Sequence, residues 1–260
     1  MPELIEIEYY RRLAEGALGR VIDEVDAPDA WFLKRGLTAR IVTDALLGRQ
    51  FVGARRIGKL LLMDMDDEAV LGLRFGMTGR LVLDDCAGVD DLQYASRRRE
   101  AAWDRFTVYF DDGGDLRIND ARRLGGVELD PDEARLGVDA AGITPSQLTA
   151  ALDHSTAPLK ARLMDQHRVA GLGNLLVDEV LWRAGLDPAR AAGSLAPAER
   201  KRLHRHLRRT VDDLLADGGS HLGRLQVARV RGGRCPKDGA ELLRRTVGGR
   251  TTYSCPVHQH

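Results

Sequence analysis

The sequence predicts an α+β protein of two domains, and three observations carry that expectation. A helical pattern opens the chain, short apolar runs separated by Gly and Asp fill residues 20–130, and the pattern turns helical again after residue 145. The last 30 residues form a Gly/Arg-rich module with two Cys-Pro turns that reads as a small β-hairpin.

Residues 3–18 read as a helix because Leu4, Ile7, Leu13 and Leu18 recur among charged positions, with Gly16 and Gly19 near the end. Strands are expected at Ile41–Val42, Leu60–Met65, Ala69–Leu73, Arg80–Leu83, Phe106–Phe110 and Asp115–Ile118. Asp111-Asp112-Gly113-Gly114 is a hairpin signal, and short strands at this spacing suggest a sandwich or a barrel. Leu129–Thr144, with Pro131, Gly137, Gly142 and several acids, reads as a linker. Helices are expected at Pro145–Leu152, Leu159–Asp165, Asn174–Ala184 and, basic and amphipathic, Pro197–Leu215. The chain therefore divides into a helix and β-rich domain at 1–130, a linker at 131–144, a helical domain at 145–225 and the terminal module at 226–260.

Bulk properties narrow the function classes. The composition, 43% hydrophobic and 30% charged, is that of a globular chain, and no apolar run nears the roughly 18 residues of a membrane span. Acids stand at the N-terminus where a signal peptide would be basic, and three cysteines (Cys86, Cys235, Cys255) cannot build a disulfide framework. A reducing cytosol is expected. Zero net charge hides an asymmetry: residues 1–130 carry 19 Lys+Arg against 25 Asp+Glu, whereas residues 158–260 carry 19 against 10. A basic half points to a polyanion such as nucleic acid, although a merely solvated surface would look the same.

Several motifs carry chemistry. Loss of Met1 would make Pro2 a secondary amine able to form an iminium, and Glu3 beside it could move protons. Pro and Glu also suit methionine removal and a helix start, so the pair alone does not decide. The turn Ala170-Gly171-Leu172-Gly173-Asn174 places two glycines and a helix N-terminus where a phosphate could approach, or serves only as a helix–helix turn. In the tail, Cys235-Pro-Lys-Asp238 and Cys255-Pro-Val-His258 are separated by sixteen residues, the spacing of a zinc ribbon. Cys235, Asp238, Cys255 and His258 are the candidate ligands of one structural zinc, with His260 as a possible substitute and a metal-free hairpin as the alternative. Arg244, Arg245 and Arg250 flank a Val247-Gly248-Gly249 turn, where an arginine can fork a phosphate. Arg122-Arg123-Leu124-Gly125 offers cationic and apolar side chains on one loop, as a wedge filling a gap in a base stack would need.

Taken in order, these residues resemble the formamidopyrimidine-DNA glycosylase/endonuclease VIII family of base-excision repair enzymes. The likeness runs through Pro2-Glu3-Leu4, Gly58-Lys59, Gly76-Met77-Thr78-Gly79, Asn119-Asp120-Ala121-Arg122-Arg123-Leu124-Gly125, Leu159-Lys160, Gly171-Leu172-Gly173-Asn174 and the terminal finger spacing. The resemblance implies an N-terminal helix plus β-sandwich, then a helix–two-turn–helix domain ending in a zinc-finger-like hairpin, with damaged double-stranded DNA in the cleft between. It implies that Pro2 attacks C1′ of a flipped, damaged nucleotide and forms a Schiff base, that Glu3 protonates the sugar ring oxygen, and that β,δ-elimination cuts the strand. Lys59 would serve the catalytic site and, with Asn174 and Arg250, grip phosphates. Arg74 and Lys160 would add cations on the DNA side, and Met77, Arg122 and Leu124 would fill the gap.

Departures from the family pattern bear on substrate. Leu124 replaces a stacking phenylalanine, Arg74 replaces a common histidine, and Ile5 replaces a second proline. Asp217-Gly218-Gly219-Ser220-His221-Leu222-Gly223 is short where purine-specific members carry a longer capping loop, and Asp238 and His258 replace cysteines. Weak excision of 8-oxoguanine is therefore expected, with better activity on formamidopyrimidines, hydantoins or oxidised pyrimidines. Alternatives are a lesion- or structure-specific DNA-binding protein with little turnover, and a zinc-ribbon RNA-binding protein that would leave Pro2-Glu3 unexplained. A monomer in the bacterial cytoplasm, at the nucleoid, is expected; five Lys against thirty-four Arg hint at a GC-rich genome.

Overall fold

Helix α1 (Leu4–Ala14) has Glu6 in its first turn and Arg11 and Arg12 in its last, which complements the helix dipole. Its Ile7, Tyr10 and Ala14 are buried, and a 3-10 turn at Glu15–Ala17 finishes it. The computed structural model describes residues 2–89, 92, 96, 98 and 100–260; Met1, whose loss the proline chemistry requires, lies outside the described residues. The chain forms two units, Pro2 with Glu6–Glu133 and Glu3–Ile5 with Ala134–His260.

The first unit continues with β1 (Ile22–Asp26), α2 (Ala39–Leu46), β2 (Phe51–Ile57), β3 (Leu60–Met65), β4 (Val70–Arg74), β5 (Arg80–Leu83), β6 (Cys86–Ala87), β7 (Asp104–Phe110), β8 (Asp115–Asn119) and β9 (Gly126–Leu129). Two antiparallel sheets result, ordered β2-β3-β4-β9 and β1-β7-β8-β5-β6. Leu61, Met63, Leu71 and Leu73 of one sheet and Leu81, Phe106, Val108 and Ile118 of the other share a single buried cluster. That common core makes the expected sandwich. The Asp111–Gly114 hairpin joins β7 to β8, with Gly113 at φ +89° and Asp112 Oδ1 accepting the Gly114 N–H at 3.0 Å.

One expectation fails here. Ile41–Val42 lies in α2, not in a strand. Thr38 caps that helix by accepting the Ile41 N–H, and Val42 and Leu46, four apart, face the core. Two β-branched residues are too short a window to separate a period of 2 from 3.6.

The second unit holds β10 (Val138–Asp139), α3 (Pro145–Leu152), α4 (Leu159–Leu163), β11 (Val169–Ala170), α5 (Asn174–Ala184), α6 (Pro197–Asp217), β12 (Leu243–Val247) and β13 (Arg250–Ser254). Thr144 and Gln147 form a capping box on α3, with Pro145 at the first helical position. The stretch read as a linker contains a 3-10 turn, Glu133–Arg135, and β10, which pairs in parallel with β11. Strands β12 and β13 form the terminal hairpin, whose Tyr253 and Cys255 pack with Trp182 of α5 and with Leu225, Cys235 and Leu242.

Candidate functional site

Glu3 is completely buried in the second unit. Its Oε1 accepts the Leu175 N–H at 2.9 Å and its Oε2 accepts the Leu176 N–H at 3.1 Å. Those are two of the four N–H groups that α5 leaves unpaired at its start, so an acid from 172 residues away caps the helix. Gly173 makes this approach possible: a Cβ there would lie 2.2 Å from the Glu3 carboxyl carbon. The Leu4 N–H donates to Gly171 O at 3.1 Å, and Gly171 takes φ +107°. Gln166 braces the turn, its Oε1 accepting the Gly171 N–H at 3.0 Å and its Nε2 donating to Leu172 O at 2.9 Å. Pro2 is buried immediately before Glu3.

In the first unit, two loops abut backbone to backbone. A Cβ on Gly76 (φ +55°) would come 2.4 Å from the Leu124 carbonyl carbon, and one on Gly125 would come 2.3 Å from Arg74 O. These contacts set the loop that carries Met77 against the loop that carries Arg122 and Leu124, with Met77 half-buried and Leu124 50% exposed. Asp120, fully buried, organises the second loop. Its Oδ2 accepts the N–H groups of Leu124 and Gly125 at 2.9 Å each, and its Oδ1 accepts the Arg122 N–H at 3.1 Å and the Thr78 hydroxyl at 2.5 Å. Arg123 sits at φ +57°, a costly conformation for a residue with a Cβ. A bidentate pair to Asp29, 2.6 Å on each side, holds it there. The hydrogen bonds from Arg123 keep the Asp29 carboxyl below the usual carboxylate range.

The other expected residues of this unit lie on the four-stranded sheet. Lys59 is half-buried on the turn between β2 and β3, where Gly58 takes φ +59°. Arg56 steadies that turn through Gly58 O at 3.1 Å and an ion pair with Glu8 of α1 at 3.3 Å. Arg74 ends β4 in an ion pair with Glu128 at 2.7 Å, and Arg35 shares the same carboxylate at 2.9 Å.

In the second unit, Asn174 is the first residue of α5, and its buried Oδ1 has no hydrogen-bond partner among the described residues. Arg250 is exposed at the hairpin tip, next to Gly248 (φ +56°) and Gly249 (φ +72°). Gly248 packs on α4, since a Cβ there would meet the Ala161 Cβ at 2.7 Å. Lys160 departs from the expectation of a cation facing DNA. It is wholly buried, donating to Asp178 at 2.6 Å, to the Thr252 hydroxyl at 2.8 Å and to Thr251 O at 3.2 Å. Arg229 joins the same carboxylate at 2.9 Å. Burial pushes the Lys160 ammonium below its ordinary value, against the pull of Asp178. The lysine thus ties α4 and α5 to the strand that carries Arg250.

Cys235, Asp238, Cys255 and His258 converge, with one ligand atom of each lying within 4.8 Å of all the others. The Lys237 N–H points to Cys235 Sγ and the Val257 N–H to Cys255 Sγ, both at 3.4 Å, so each knuckle folds its backbone amide onto its sulfur. The Trp182 indole N–H donates to Cys235 Sγ at 3.3 Å, and His258 Nε2 lies 3.2 Å from Trp182 O, which leaves Nδ1 for the cluster. The Ala240 N–H, then His258, hold the Asp238 carboxyl far below its usual range, while burial raises the Cys255 thiol. Two sulfurs, an imidazole and an ionised carboxylate at this separation fit one structural zinc ion. Asp29, Asp120 and Gln166 escaped the sequence reading. Asp120 lies inside the Asn119–Gly125 motif, whereas Asp29 has no local signal.

Residues 1–127 match the family described as formamidopyrimidine-DNA glycosylase N-terminal domain, and residues 136–224 match the formamidopyrimidine-DNA glycosylase H2TH domain. The formamidopyrimidine-DNA glycosylase of Paracoccus denitrificans is 35% identical over all of both chains. That of Heliobacterium modesticaldum is 34% identical over 98% of this chain and 99% of its own. Among solved structures, Lactococcus lactis Fpg in complex with a FAPY-dG-containing DNA superposes with a TM-score of 0.82 at 28% identity, covering 99% of this chain and 100% of its own. The same protein with an abasic-site DNA gives 0.83 at 28% identity over 99% of both chains.

Proposed function

Because this chain belongs to the formamidopyrimidine-DNA glycosylase family, base-excision enzymes that are both DNA glycosylases and AP lyases, we propose that Pro2, freed by loss of Met1, is its nucleophile. The Pro2 nitrogen attacks C1′ of a damaged nucleotide as the glycosidic bond breaks, and the iminium that results undergoes β- and δ-elimination. After the attack Glu3, an ionised carboxylate, takes the proton from the Pro2 nitrogen and passes it to the sugar ring oxygen, whose bond to C1′ breaks as the iminium forms, while the departing base takes its proton from water. The observation that carries this reading is the carboxylate of Glu3, buried and pinned by Leu175 and Leu176 directly beside the reactive residue. A buried acid held by two backbone donors is pre-positioned, so orienting it costs nothing during reaction.

Lys59, Asn174 and Arg250 grip phosphates around the lesion, and Met77, Arg122 and Leu124 fill the gap left by the flipped nucleotide. The closely packed loops that carry Met77 and Leu124 support that role, because a wedge must repay a flipping cost of a few kcal/mol. Arg74 contributes a cation tempered by Glu128. The protein acts as a monomer on damaged duplex DNA in the cytoplasm. Among the described residues no helix is long and apolar enough to cross a membrane.

Substrate choice follows from Leu124 and from the connection after α6. The helix ends at Asp217 with Gly218 at φ +109°, and a 3-10 turn, Ser220–Leu222, follows at once. This short connection supports weak 8-oxoguanine excision and preference for formamidopyrimidines, hydantoins or oxidised pyrimidines. Borohydride trapping on an abasic duplex tests the reaction: a covalent adduct is expected in the wild type and none in Pro2→Gly. Tight binding without an adduct would instead support a lesion-binding protein lacking turnover. Base release from a panel of defined duplexes tests the substrate, and 8-oxoguanine as the best substrate overturns that part.

A further inference from the structure

Away from Glu3 and the hairpin tip, the second unit has a cavity of about 320 Å³ where α5, α6 and the first knuckle of the finger meet. Its walls carry Arg183, Arg209, Arg224 and Lys237, with His206 and the edge of Trp182. Asp213, the only acid in the lining among the described residues, is engaged by Arg183 at 2.6 Å, and Arg183 also pairs with Glu179 at 2.7 Å. The guanidinium groups of Arg209 and Arg224 have no hydrogen bond or ion pair to any described residue. Lys237 is held in place, donating to the carbonyls of Trp182 at 2.9 Å and Arg183 at 3.2 Å, with its ammonium 4.7 Å from the Trp182 ring. Burial, and then the charges of Arg205, Lys237, Arg183 and Arg202, lower the His206 imidazole from its ordinary value.

We propose that this cavity binds a phosphate group, forked by Arg209 and Arg224 and backed by Lys237 against Trp182. Planar guanidinium groups match phosphate oxygens two at a time, and those of Arg209 and Arg224, both exposed and without a partner among the described residues, line one concave space. A volume of this size falls in the range of small-molecule pockets. The phosphate can come from a free phosphate ester or diphosphate, or from a DNA backbone reaching past the hairpin. Neither source depends on Pro2 chemistry, so the proposal stands or falls separately from the glycosylase reading.

Titration calorimetry of inorganic pyrophosphate into the zinc-loaded full chain, and the salt dependence of binding to an undamaged duplex, test it together. The variants are Arg209→Glu, Arg224→Glu and their combination, each checked for zinc content and melting temperature. If a free phosphate is the ligand, pyrophosphate binding weakens by roughly tenfold or more in the double variant and persists in the duplex complex, because charge-assisted forks are lost. If the source is DNA, duplex excludes pyrophosphate and the slope of log K against log salt falls by about 0.9 per lost phosphate contact. Equal pyrophosphate binding together with equal salt slopes in wild type and folded variants overturns the proposal.

Discussion

Gly173→Ala places one methyl group against the acid that the proposed chemistry needs. The added Cβ would stand 2.2 Å from the Glu3 Cδ, 2.3 Å from its Oε1 and 2.6 Å from its Cγ, all inside contact distance. Gly173 has φ −123°, so backbone strain contributes nothing and the effect is purely steric. The Glu3 carboxylate must leave, and the hydrogen bonds from Leu175 and Leu176 break. Hydrogen bonds to a charged group contribute roughly 1.5–3 kcal/mol each, and partial rehydration of the displaced acid and helix end reduces the sum to about 2–4 kcal/mol. For a unit of this size that lowers the melting temperature by roughly 5–15 °C. Adduct formation on an abasic duplex, followed by borohydride trapping at a temperature where the variant is folded, should slow by about 100-fold or more as the misplaced acid stops delivering its proton. Wild-type melting together with wild-type trapping in Gly173→Ala would show that Glu3 is not held as described. Lost stability with an unchanged trapping rate would refute the catalytic part alone.

Lys160→Met should cost about 3–5 kcal/mol in denaturant melts, because it strips a buried carboxylate of one cation; a stable variant with only weakened DNA binding would contradict the buried placement. Asp29 has a folded pKa depressed by Arg123, so its contribution is present above the ordinary carboxylate value and is lost as the pH falls below roughly 4. The stability gap between wild type and Asp29→Asn should therefore be full at pH 7 and close in acid; a gap that widens in acid would reverse the sign. The purified chain should carry about one equivalent of zinc, lost in Cys235→Ser, and chelation should weaken DNA binding by loosening the hairpin that bears Arg250. Metal analysis finding under about 0.2 equivalents after chelator-free purification would count against the site.

Much of this protein was legible in the chain as written. The α3 and α5 boundaries, the β7–β8 hairpin and the Cys235/Asp238/Cys255/His258 spacing all rest on signals a few residues long: capping residues, turn glycines and x2 knuckles. Pro2-Glu3 and the loop Arg122–Leu124 could be singled out because the residues to which the family resemblance assigns roles are neighbours in sequence, although the pair Pro2-Glu3 alone did not decide. Other features were not legible, because they arise from contacts between distant residues. Glu3 finds its donors 172 residues away, at a helix start that Gly173 leaves open. Asp29 reaches Arg123 across 94 residues. Lys160 looks in sequence like any surface cation, and its burial follows from Asp178 on α5 and Thr252 on the hairpin closing around it. The spacing of residues sets which elements form and which chemistry they can carry. The packing of those elements sets which charges are exposed, because burying an ion is tolerated only where distant partners converge on it.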